Sequence, residues 1–178
     1  MKTIFAELQN YAMETAKELK KNVPKKWTTK EAYEKGSAYC AYQERTQQHV
    51  RDKLYSHGLH SNEVEDLICK LVTDNFINEE RYAKSYAGGK FRQKMWGKVK
   101  IKAALKFEGL SDYCIKKGLA EIHPDDYAKT MEKVMANRAK KEAEKNPLKR
   151  KFKIANYVIS RGFENDLVWE MINQMTND

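Results

Sequence analysis

No long apolar run occurs in this sequence. Nowhere does it approach the ~18 consecutive apolar residues that a helix needs to span a bilayer. Met1 to Phe5 could open a targeting segment, but Glu7, Gln9 and Asn10 interrupt any apolar stretch behind them. The expectation is a soluble, cytoplasmic chain with no membrane partner. Proline and glycine are scarce, at 3 and 8 residues, which argues against both a loop-rich all-β fold and a disordered low-complexity chain. Cysteine is scarce and odd in number: Cys40, Cys69 and Cys114 show no CxxC spacing and read as reduced thiols, not as a disulfide framework.

Motifs of catalysis are missing as well. No GxxxxGK[ST] and no strand-anchored GxGxxG is present, and Gly88-Gly89 reads as a helix bend. His57 and His60 stand three apart, yet no further histidine or cysteine joins them at zinc spacing. His49 and His123 read as surface or cap residues, and Asp125-Asp126 as a helix N-terminus. The expectation is a non-enzyme with no catalytic residues, no metal and no cofactor.

What is present is positive charge and helical period. Lys and Arg outnumber Asp and Glu by 34 to 25, giving +9 at pH 7 and marking the chain as a candidate for a polyanionic partner. Apolar residues make up 41% and charged residues 33%, a balance that suits helices burying one stripe each. Phe5, Leu8, Ala12, Ala16 and Leu19 mark one face of a helix over roughly 2–21. Pro24, Pro124 and Pro147 fall at breaks in the pattern. About ten helices of roughly 10–20 residues are expected, and strand-like alternation is absent.

An internal repeat organises these helices. Leu54-Tyr55-Ser56-His57-Gly58-Leu59 lies over Leu105-Lys106-Phe107-Glu108-Gly109-Leu110 and over Val158-Ile159-Ser160-Arg161-Gly162-Phe163. Eight residues before each glycine stands Val50, Ile101 or Ile154; six after, Val64, Ile115 or Val168; ten after, Ile68, Leu119 or Ile172; thirteen after, Leu71, Ile122 or Met175. This is a helix, a glycine stop, an apolar residue, and a second helix with a matching buried stripe. The glycine suits a helix that ends with one residue in the left-handed region. Ser61, Ser111 and Asn165 are candidate caps for the second helix.

A third helix precedes each pair. Ile77 to Ala83 resembles Ile122 to Ala128, with carboxylates in the first turn and an aromatic-Ala pair facing inward; Thr28 to Tyr33 is the weaker counterpart. The division is an N-terminal helical extension, 1–27, and three-helix repeats at 28–77, 78–122 and 123–178.

At this point the sequence resembles the RecX family. Thr46-Gln47-Gln48-His49-Val50, with Leu54 and Gly58, is similar to that family's first-repeat pattern of Ser, x, x, Glu, Leu, then Leu and Gly. Glu79-Glu80 with Tyr82-Ala83 looks like its acidic pair followed by Phe/Tyr-Ala, and Arg92, Gly97, Ile101, Leu105 and Gly109-Leu110 stand at its second-repeat spacing. The likeness covers about 38–175. It departs at His49, where a glutamate would complete a capping box with Thr46, and at Glu79-Glu80, where aspartates are usual. It implies an all-α fold of three tandem three-helix repeats in an elongated crescent, with an extra N-terminal helix. It also implies binding in the groove of RecA–single-stranded-DNA filaments and modulation, usually inhibition, of recombinase, ATPase and strand-exchange activity in DNA repair and the SOS response.

The sharpest charge feature is 81–107, with nine Lys and Arg and no Asp or Glu before Glu108. Lys98, Lys102 and Lys106 share a helix face opposite Ile101 and Leu105. A second cluster is Lys149, Arg150, Lys151 and Lys153, with Arg161 later. Lysines neutralise phosphates and release counterions, while aromatics stack on unpaired bases. The expected contacts to RecA and DNA are Arg92, Lys94, Lys98, Lys102, Lys106, Lys149, Arg150 and Lys153, with Trp96 for base stacking. Tyr82 and Phe107 read as core, as do Tyr39, Cys40 and Tyr42. Residues 138–145 read as a long solvated helix. The expected partners are the RecA filament and single-stranded DNA, with duplex DNA as a further option, met by a monomer. The competing readings are a stand-alone helical DNA- or RNA-binding module and a protein–protein scaffold with a basic face.

Overall fold

The structure is a computed structural model and describes residues 26–174. The helix expected over 2–21, the extension to which it belongs and Met175 lie outside the described residues, apart from Lys26 and Trp27. Nine α-helices and no strand occur among the described residues. The first three are α1 (Thr29–Tyr42), α2 (Gln47–Ser56) and α3 (Ser61–Thr73). Then come α4 (Glu79–Lys94), α5 (Lys98–Phe107) and α6 (Asp112–Leu119), and finally α7 (Pro124–Lys141), α8 (Pro147–Ser160) and α9 (Asn165–Gln174).

The repeat is written in the backbone. Gly58, Gly109 and Gly162 end α2, α5 and α8 with φ of 78°, 82° and 94°, the left-handed region that a Cβ disfavours. After the first two, the next N–H returns to the helix: Leu59 N–H donates to the Leu54 carbonyl and Leu110 N–H to the Leu105 carbonyl. The apolar residue then folds back, and Leu59, Leu110 and Phe163 are all buried. Val50, Leu54, Val64, Ile101, Leu105, Val158 and Val168 are fully excluded from solvent, at the aligned positions. Each such side chain contributes about 1.5–3 kcal/mol by leaving water.

Caps begin the helices. Thr28, Asn78, Ser111 and Asn146 side chains accept N–H bonds from the first turns of α1, α4, α6 and α8. His49 does complete the box that its departure from glutamate put in doubt: His49 N–H donates to Thr46 Oγ1 at 3.1 Å, and Thr46 N–H to His49 Nδ1 at 3.5 Å. Ser61 and Asn165 are the first residues of α3 and α9, not their caps. The cap of α3 is His60, whose N–H donates to Glu63.

Expectations on burial are corrected at Phe107, Tyr42 and Ala128. Phe107 is 92% exposed and Tyr42 is 87% exposed. Each stands two residues beyond a core residue, Leu105 and Cys40, and two residues turn a helix through about 200°. Ala128 is exposed, so the inward aromatic-Ala pair holds at Tyr82-Ala83 but only for the tyrosine at Tyr127. α4 runs without interruption through Gly88 and Gly89. The solvated helix expected over 138–145 stops at Lys141, and Glu142 turns back onto Arg138.

The buried residues form two clusters. One joins Trp27 to Ile77, the other Tyr82 to Ile172. Polar side chains bridge them: Arg81 donates to Glu44 at 2.5 Å, and His49 Nε2 stands 2.9 Å from Glu108. A second junction is made of backbone. Gly97 N–H donates to the Arg161 carbonyl at 2.9 Å, and Val99 N–H to the Gly162 carbonyl at 3.0 Å, which seats the start of α5 on the glycine turn after α8.

Candidate nucleic-acid interface

The expected stripe on α5 is real in register and unequal in exposure. Lys102 and Lys106 are exposed, while Lys98 is half-buried. Lys98 N–H donates to the Tyr127 hydroxyl at 3.0 Å, and its ammonium lies 4.8 Å from the centre of that ring. The Tyr127 hydroxyl donates in turn to Glu164 at 2.5 Å. Burial first, and the Glu164 carboxylate second, hold that hydroxyl's pKa well above the ordinary tyrosine value. Lys106 stands 3.4 Å from Asp112, an exposed pair of little energetic weight.

The second cluster is largely engaged by the protein itself. Arg150 donates to the Ala139 carbonyl at 2.6 Å and so ties α8 to the end of α7. Lys153 reaches Glu144 at 2.8 Å and Glu142 at 3.8 Å. The Glu144 hydrogen bond raises the Lys153 pKa, and Lys153 lowers that of Glu144. Lys149 is exposed with no carboxylate within 4.0 Å among the described residues. Lys149 to Lys153 sit at the start of α8, and the start of α5 meets the far end. The two expected clusters are thus separated by the length of that helix, on the order of 15 Å.

Trp96 is half-buried against the larger core, and the Lys90 and Lys100 ammoniums lie 5.3 and 4.8 Å from its ring centre. Its neighbours are cations of the protein. The freely presented ring of this region is Phe107, next to Lys106.

Three clefts gather cations that the sequence scatters. The first, of about 320 Å³, lies between the two core clusters and is lined by Arg45, His49, Tyr86, Lys90 and Lys94, with Glu44 beside them. The second, of about 210 Å³, is lined by Arg138, Lys141, Tyr157 and Arg161. The third, of about 380 Å³, brings Arg92 to Lys129 and Lys133 of α7. All three open around the last turn of α4, whose Arg92 and Lys94 also complement the negative end of the helix dipole. Arg92 spreads over Gly88, where a Cβ would meet its guanidinium at 2.8 Å. Of these cations, Lys90, Arg92 and Lys94 belong to the basic stretch 81–107, and Arg161 follows the second cluster. Arg45, Lys129, Lys133, Arg138 and Lys141 sit in mixed-charge segments that periodicity reads as solvated faces. The i, i+4 spacing of Lys129 and Lys133 was the available signal, and a weak one.

Residues 78–119 match the family model described as RecX, second three-helix domain. The Regulatory protein RecX of Streptococcus uberis is 30% identical over 73% of this chain, and the chain covers 50% of that protein. The Regulatory protein RecX of Clostridium perfringens is 28% identical over 75% of this chain, with 63% of that protein covered. The chain belongs to the RecX family. It spans about half to three fifths of the length of these curated relatives. In fold, the RecX-family chain is similar to the crystal structure of RecX from Lactobacillus salivarius. Their TM-score is 0.75 at 24% identity, over 84% of this chain and 96% of that one. The helical-repeat architecture is therefore shared with a solved RecX structure. Among the described residues, no helix of this RecX-family chain is long and apolar enough to cross a membrane. No cluster of three or more potential metal ligands occurs among them either.

Proposed function

We propose that this chain is a cytoplasmic regulator of the RecA recombinase, acting by non-covalent binding to the RecA–single-stranded-DNA filament and lowering its ATPase and strand-exchange activity. Three three-helix units, 28–77, 78–122 and 123–178, would present the cations along the filament, and one chain would act as a monomer. The observation that carries this reading is the supply of uncompensated charge. Arg92, Lys94, Lys98, Lys102 and Lys149 have no carboxylate within 4.0 Å among the described residues, whereas Arg51, Arg81, Lys84 and Lys153 do. Charges left unpaired by the fold are available to phosphate or to an acidic protein surface. Arg150 and Lys153, already held by α7 and the segment after it, serve this role less than the other six expected contacts.

The test is the single-stranded-DNA-dependent ATPase of RecA from the same organism, with substoichiometric amounts of this protein at near-physiological salt. Suppression well below one chain per RecA supports filament action. Undiminished ATPase beside firm DNA binding would instead identify a stand-alone nucleic-acid-binding module. Indifference to both RecA and nucleic acid would identify a protein–protein scaffold.

A further inference from the structure

Six cations of the first two clefts come from four separated segments. Arg45 stands between α1 and α2, Lys90 and Lys94 on α4, Arg138 and Lys141 on α7, and Arg161 just after α8. A solvated helix face explains lysines in a line along one helix; it does not explain cations from four segments converging on two adjoining hollows. The hollows abut, because Arg161 of the second donates to the backbone carbonyl of Lys94 of the first. They also share a design. Each has a tyrosine with a cation at its ring: Lys90 lies 5.0 Å from the Tyr86 centre, and Arg138 lies 5.2 Å from that of Tyr157. Each has an arginine, Arg45 or Arg138, whose buried Nε finds no hydrogen-bond partner. An arginine with an unsatisfied donor is one whose bonding the folded chain has not completed.

We propose that single-stranded nucleic acid crosses this chain through these two clefts, its phosphates held by Arg45, Lys90, Lys94, Arg138, Lys141 and Arg161, with Tyr86 and Tyr157 as the walls against which bases lie. This deepens the nucleic-acid part of the function proposed above and rests on it. It adds, beside the exposed cations of α5, a concave path in the hollows around the end of α4. The chemistry favours a single strand. A duplex is read by an element that enters its groove, whereas unpaired bases need concave sites with a ring and a nearby cation. Glu44 lines the first cleft, one oxygen engaged by Arg81 and the other buried without a hydrogen-bond partner, and Glu142 is engaged by Arg138 of the second.

The test is fluorescence anisotropy with the full chain and a labelled oligothymidylate at about 50 and 200 mM salt. K90Q/K94Q/K141Q is expected to weaken binding at least about tenfold and to lower the slope of log affinity against log salt by about 2. K30Q/K116Q/K145Q, which removes three exposed lysines outside both clefts and outside the expected contacts, is expected to change affinity less than about twofold. Y157L is expected to weaken binding about tenfold. Circular dichroism shows whether each variant folds; the three arginines are left in place because they also hold the structure together. A loss in the cleft variant no larger than in the K30Q/K116Q/K145Q control overturns the path and leaves the function reading standing. Wild-type protein that ignores the oligonucleotide yet suppresses RecA's ATPase also overturns the path alone. Wild-type protein that does neither overturns both. Polyglutamate competing as strongly as unlabelled oligothymidylate overturns the path in favour of an acidic protein partner.

Discussion

Tyr127 shows how one side chain couples position to pH. It is buried, donates to Glu164 and accepts from the N–H of Lys98. Its pKa is raised in the folded chain, so the unfolded chain loses this proton first as pH rises. The stability it contributes is complete below the ordinary tyrosine value of 10.0 and declines above it. Tyr82, raised mainly by burial and then by Glu108, acts in the same direction. Urea unfolding should therefore show a falling midpoint above about pH 10. Y127F should lose about 1–2 kcal/mol at neutral pH, because Glu164 and the Lys98 N–H lose a partner. It should also fall less steeply above pH 10; an identical slope in wild type and variant would rule Tyr127 out as a source of the alkaline loss. Phe107 is the opposite kind of residue. With 92% of it in solvent, F107S should shift stability by no more than about 0.5 kcal/mol in thermal unfolding.

At the scale of the element, caps and glycines carry different weights. Thr46 is the buried polar residue that starts α2. T46A should cost about 1 kcal/mol, within the range usual for a lost N-cap. Gly109 and Gly97 separate two reasons for having glycine. Gly109 has φ of 82° and nothing within 4 Å of where a Cβ would stand, so G109A meets only backbone strain of about 1–2 kcal/mol. Gly97 has ordinary φ, but its Cβ would fall inside the backbone of Gly162 and Phe163. G97A should cost about 3 kcal/mol or more, because one methyl must push apart two backbones that bond directly to each other. Chemical denaturation of the pair decides this: equal costs would mean that the junction yields freely.

For the whole molecule, the division into two core clusters is the leading fact. The link between them is polar, through Arg81–Glu44 and His49–Glu108, and such links hold orientation more than stability. L54A, which empties a fully buried position of the smaller cluster, should cost about 2–5 kcal/mol. Hydrogen exchange should rise across 27–77 far more than across 82–172. A uniform rise along the chain would mean that the two clusters unfold as one.

The sequence by itself determined the helices, their glycine turns and the buried stripe of each repeat. Those features are local: a period of 3.6 residues and a left-handed glycine are set within one or two turns of chain. It also determined that the chain is basic and helical-repeat in kind. It misplaced Phe107 and Tyr42, because a residue near a helix end can lie two positions past the stripe and face water. It rated α7's cations as a solvated face. Only the tertiary structure decided which charges are spent on the fold, as with Arg150 and Lys153, and which converge, as with Arg45, Lys94, Arg138 and Arg161. The spacing of charge along the chain cannot encode that, because it depends on how one three-helix unit is seated on the next.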